Sequence, residues 1–138
     1  MSQLEPQLPA AVRSPLQSVA DVVARHYKDQ FGRGPQRCRA HFAGRDAVLV
    51  VLDGTMSPAE RRLADAGEGT RVHAARAALQ GAVHDDVVRA VQEVVGRPVL
   101  HAVNGLDVVH DVSTELFVLS DPGSEPLPPA LSAPDQAG

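Results

Sequence analysis

The chain predicts an α+β fold: a four-stranded, mainly antiparallel sheet with its helices packed on one face, in the order α-β-β-α-α-β-β. Three observations lead there. Two Ser-Pro-x-Gln/Glu signatures start helices, apolar residues recur at three- and four-residue spacing behind them, and the strand runs are joined by connections too short for parallel crossovers. At 138 residues and 43% hydrophobic content, one domain can bury a core without disulfides or metal. Only 3% of residues are aromatic and none is tryptophan, so the core is expected to be Val, Leu and Ala.

Residues 1–12, with Pro6 and Pro9, read as a flexible arm, residues 13–120 as the single domain. In Ser14-Pro15-Leu16-Gln17, the serine caps, the proline needs no donor at the first turn, and Gln17 completes a capping box. Leu16, Val19, Val23, Tyr27 and Phe31 then predict a helix over 15–30, stopped by Gly32-Arg33-Gly34-Pro35. Arg37–Phe42 and the apolar run Ala47–Leu52 read as a hairpin turning at residues 43–46, the second strand central in the sheet.

Ser57-Pro58-Ala59-Glu60 repeats the helix-start grammar, with Glu60 reaching back to the Ser57 N–H. A short helix should reach Ala66 and end at Gly67 and Gly69. The stripe Val72, Ala75, Leu79, Val83, Val87, Val91 and Val94 predicts a long helix over 70–95, in which Gly81 suggests close packing or a kink. Gly96-Arg97-Pro98 stops it before a strand at Val99–Val103. Asn104-Gly105 then signals a two-residue hairpin pairing Val103 with Leu106. The alternative is a longer loop over 104–111, ahead of a final strand at Thr114–Leu119. Five prolines beyond Asp121 mark 121–138 as a disordered tail.

Chemistry is sparse in this pattern. Six histidines include no pair at the i, i+4 spacing of a helical zinc site, and one cysteine cannot form a thiolate cage. His101 and His110 would meet only across the Asn104-Gly105 hairpin. Cys38 lies between Arg37 and Arg39, but in a strand those neighbours point to the opposite face, so a buried inert thiol is expected. Asp85, Asp86 and Asp111 read as surface or loop-capping carboxylates. Ser57 and Glu60 are accounted for as a cap, and no catalytic residue, metal site or cofactor is expected. Gly32-Arg33-Gly34 follows a helix, so it is not a dinucleotide fingerprint.

Charge and composition narrow the partners. Net charge is −4, divided as +3 over residues 1–76 and −7 over 77–138, an asymmetry that suits partner contacts. Acidic balance and scarce aromatics argue against nucleic acid. The absence of a signal-peptide pattern, of a long apolar run and of a second cysteine leads to the expectation of a soluble cytoplasmic protein without membrane insertion.

The segments Phe31-Gly32-Arg33-Gly34-Pro35 and Asp53-Gly54-Thr55-Met56-Ser57-Pro58-Ala59-Glu60-Arg61-Arg62-Leu63 together resemble the bacterial MpsC-like family. That family is named for a sodium-translocating, membrane-potential-generating system. Arg76 matches an arginine of its following helix, and the likeness runs less clearly to Glu115–Leu119, covering about residues 14–120 without the stretch 104–113. The resemblance implies a small cytoplasmic accessory to a membrane ion or bicarbonate transport system and carries no active site. The leading expectation is therefore a non-enzymatic accessory or binding module, acting as a homodimer. The alternative is a sensor or enzyme for a small anion, bound by Arg33, Gly34, Arg61 and Arg76, since the planar guanidinium fork matches carboxylate and phosphate.

Overall fold

The computed structural model describes residues 14–121. The expected arm over 1–12 and nearly all of the expected tail lie outside the described residues. The element order is the anticipated one: α1 (Pro15–Phe31), β1 (Arg37–Phe42), β2 (Ala47–Asp53), α2 (Pro58–Leu63), α3 (Gly69–Val95), β3 (Val99–Asp107) and β4 (Val112–Leu119).

Both helix starts are capped. The Gln17 N–H donates to Ser14 Oγ at 3.1 Å, and α1 ends where Gly32 turns left-handed at φ 84°. At Ser57 the full capping box forms, with Glu60 N donating to Ser57 Oγ at 3.2 Å and Ser57 N to Glu60 Oε1 at 2.8 Å. Among the described residues the reciprocal bond is confined to this second start. Between α2 and α3, Ala64–Glu68 forms a π-type turn kinked at Gly67, whose φ of 86° needs glycine.

The four strands are antiparallel in the order β1-β2-β4-β3, so the last strand lies in the middle. The helices cover one face. Val19, Val23 and Tyr27 of α1 and Val87 and Val91 of α3 pack there on Val48, Val50, Leu52, Phe117 and Leu119. Area burial of these side chains drives the fold, at ~1.5–3 kcal/mol for each large one.

Two expectations are corrected. Asn104-Gly105 is neither a hairpin turn nor part of a loop. β3 runs straight through it, pairing Asn104 with Glu115 and Gly105 with Thr114, and the chain turns at residues 108–111. The local turn propensity loses to the longer ladder, which β4 needs as a central strand to satisfy its backbone groups. His101 therefore sits opposite Val118 while His110 lies in the turn on Asp107, and the two histidines do not meet. The second correction concerns α3. Its first half buries only Val72 and Arg76, leaves Leu79 exposed, and has open space around Gly81. Gly81 is neither a packing contact nor a kink.

Candidate functional site

The polar residues gather where the end of β2, the start of α2, the middle of α3 and the β3–β4 turn converge. Gly54 has φ 71°, and its N–H donates to the Asp111 carbonyl at 3.0 Å. This directs Thr55 and Met56 inward, where both are buried. Their N–H groups donate to Asp111 Oδ1 at 2.9 and 3.1 Å. Asp111 is 4% exposed and holds φ 56°, a left-handed position that Asp tolerates better than most residues. Its other oxygen accepts from Arg61 Nη2 at 2.5 Å. The side chain thus caps a loop from the far end of the chain and anchors an arginine.

Arg76 sits on the other side of Thr55. Its guanidinium donates from Nε and Nη2 to the two Glu60 oxygens at 2.8 and 2.7 Å. It also reaches the Thr55 carbonyl at 2.8 Å and the Thr55 hydroxyl at 3.1 Å. The ring of Phe31 lies 4.0 Å from its central carbon, a cation–π contact that ties in the end of α1. Glu60 therefore closes the α2 cap and neutralises Arg76 together, and the Arg76 hydrogen bonds hold its carboxyl below the usual range.

A second buried group lies deeper. Glu115 of β4 accepts from the Tyr27 hydroxyl at 2.8 Å, and that hydroxyl accepts from Gln80 Nε2 at 2.8 Å. Burial pushes the Glu115 carboxyl up to about 7 and raises the Tyr27 phenol well above its ordinary value. Ser113, on the same strand face, lies 3.3 Å from the Thr55 hydroxyl. A recess of about 40 Å³, lined by Arg76, Gln80, Asn104 and Ser113 among others, opens toward these groups and has room for a water.

Outside the network is a cleft of about 870 Å³ between the Ala64–Thr70 corner and the β3–β4 turn. Leu106, Val108 and Val109 line it together with Arg61, Asp65, His73 and Asp107. Val109 is 83% exposed.

The four residues expected to hold an anion divide accordingly. Arg61 lines the cleft, half-exposed and paired with Asp111. Arg76 is 3% exposed, and four of its five N–H groups are used internally. Arg33 and Gly34 stand in the turn after α1, two and three residues beyond the Phe31 that contacts Arg76, and a Cβ on Gly34 would meet Lys28 at an ordinary 3.7 Å. Cys38 faces the helices, where Sγ donates to the Ala20 carbonyl at 3.4 Å and burial lifts its thiol to about 11. Among the described residues no cluster of three or more His, Cys, Asp or Glu could hold a metal ion.

Asp111, Thr55, Glu115 and Gln80 were not legible as a group. The available signal was the strict alternation of β4, which places Ser113 and Glu115 on the face of Phe117 and Leu119. Polar residues at core positions of such a strand demand partners.

This arrangement unites the segments that carried the family likeness: the Phe31 turn, the Gly54–Glu60 loop and Arg76 meet around one ion pair. Comparison with known proteins agrees. The chain is 29% identical over 100 residues to the uncharacterized protein YrhF of Bacillus subtilis (strain 168), an alignment covering 71% of this chain and 81% of that protein. No solved structure matches the chain. The family model described as Na+-translocating membrane potential-generating system (MpsC) matches residues 14–121, and the chain belongs to that family.

Proposed function

We propose that this protein is a non-enzymatic accessory module of a membrane ion-transport system, of the sodium or bicarbonate kind, and that it docks a segment of its partner in the cleft beside the β3–β4 turn. The observation that carries this reading is the division of labour around Arg61. Behind it, Arg76, Glu60 and Asp111 are consumed by internal bonds and hold the architecture. In front of it, an apolar wall of Leu106, Val108 and Val109 stands open beside alternating charges. That combination suits an extended peptide offering one apolar residue with polar neighbours. On this reading the protein works in the bacterial cytoplasm and as a homodimer. Co-expression with the transport subunits encoded in the same organism tests it. Co-purification should be lost in Val109→Asp with folding retained; no association of the wild type, or none sensitive to Val109, sinks the reading.

One observation favours a second reading, a small-anion sensor or enzyme. Arg61 is half-exposed at the cleft, with Thr70 and His73 also lining it, and the expected set would add Arg33, Gly34 and Arg76. A thermal-shift series with bicarbonate, phosphate and nucleotides tests this, since binding to the native state raises apparent stability. No shift at millimolar anion, or one equal in Arg61→Gln, rejects it.

A further inference from the structure

The sheet has a second face, and among the described residues no helix lies on it. Every strand residue in the core points toward α1 and α3; Leu49, Val51, Leu116 and Val118 alternate with them and stay part-exposed, and Val103 on β3 is 59% exposed. The strand register arranges this face in rows. The first is Arg37, Asp53, Val112 and Asp107. The second is Arg39, Val51, Thr114 and Gly105. The third is His41, Leu49, Leu116 and Val103, and the fourth, past the end of β1, is Ala47, Val118 and His101.

We infer that this open face is the surface through which two copies of the chain associate, sheet against sheet, about a two-fold axis parallel to the strands. Such an axis lays β1 of one copy over β3 of the other and keeps each row opposite itself. The third row then stacks Leu49 on Leu116 and Val103 on His41 of the other copy. In the second row Arg39, which pairs with Asp53 at 2.7 Å, overlies the bare backbone of Gly105. In the first row Arg37 meets Asp107, opposite charges at both ends of the interface. The roughly 30° rotation of aligned sheets displaces these corners by about 6 Å, within reach of an extended arginine. The alternative axis, across the strands, would set β1 on β1 and bring Arg37 and Arg39 toward like charges.

The size of the face sets the strength. Four strands about 4.8 Å apart and four rows about 7 Å apart span roughly 500 Å² per copy, near 1,000 Å² for the pair. That is the lower limit of specific interfaces, so the dimer should be a micromolar one. The inference takes up the self-association in the reading above and gives it a surface. Its failure would show in oligomeric state, while failure of the accessory reading would show in partner capture.

Sedimentation equilibrium of the full 138-residue chain from about 1 to 500 µM is the test. The wild type should dimerise, with at least tenfold weakening in Val103→Lys, a substitution at an exposed edge position. Arg37→Glu and Asp107→Lys should each weaken the dimer, and the double variant should recover it. Asp107 also accepts from His110 in the turn, but loosening that turn cannot produce recovery in the double variant. A wild type monomeric at 500 µM overturns the inference, as does a dimer indifferent to Val103→Lys and Arg37→Glu. A monomer whose face is protected by its own terminal segments overturns it too.

Discussion

Replacing Arg76 by methionine removes a charge from the point where three segments meet while roughly keeping the volume. Four hydrogen bonds are lost: two to Glu60, one to the Thr55 carbonyl and one to its hydroxyl. Breaking a buried pair by deleting one partner costs about 3–5 kcal/mol, because the remaining charge is stranded. Here Glu60 retains 23% side-chain exposure, so water offsets part of that, and the lost contact with Phe31 adds about 1 kcal/mol. The expected destabilisation is about 3 kcal/mol, a fall of roughly 10–15 °C in Tm for a domain of this size. Urea and thermal unfolding followed by circular dichroism measure it. Adding Glu60→Gln should cost less than the two separate losses together, with a coupling of about 1–2 kcal/mol. The pH dependence supplies an independent check. Glu60 is held below its ordinary value of 4.5, so its stabilisation is present at neutral pH and is lost as pH falls from 4.5 through its folded-state value. In Arg76→Met that acid limb should flatten. A loss under about 1 kcal/mol, or an unchanged acid limb, would refute the assignment of this pair as the keystone of the loop.

Other perturbations follow from single groups. Glu115 carries a carboxyl raised to about 7, so the native state holds a proton that the unfolded chain has released between pH 4.5 and 7. Stability should therefore fall as pH rises across that window and level off above it, by at most about 3 kcal/mol. Glu115→Gln should abolish that slope and stabilise the protein at pH 8; a wild type with no such slope contradicts the protonated reading. Gly81→Ala, at an exposed helical position with open space, should stabilise by about 0.5–1 kcal/mol in chemical denaturation; destabilisation would reveal a packing role. Cys38, with its thiol at about 11, should resist alkylation at pH 7.5 in the folded state and react readily in urea, a difference read by mass spectrometry.

Local grammar carried most of the architecture. Ser14-Pro15 and Ser57-Pro58 start helices wherever they stand, because capping needs only residues within one turn. The apolar run Ala47–Leu52 marked a central strand and the alternation in Thr114–Leu119 a one-faced one, but which face of Ala47–Asp53 is covered was decided only by packing. The same grammar misled at Asn104-Gly105, where a two-residue turn signal competes with eight residues of strand pairing, and the sum of the ladder exceeds the local preference. It also misled along α3, where helical periodicity shows which side is apolar but not how far the core extends beneath it.

The two serine caps, the helix stops and the family-bearing segments were thus determined within the sequence, by interactions spanning three or four residues. Tertiary structure alone decided that Asp111 would cap Thr55 from 56 positions away, that Arg76 would abandon solvent for Glu60, and that Glu115 would lie beside Tyr27. A charged side chain is buried only when its partner arrives from another element, and no local pattern specifies that arrival.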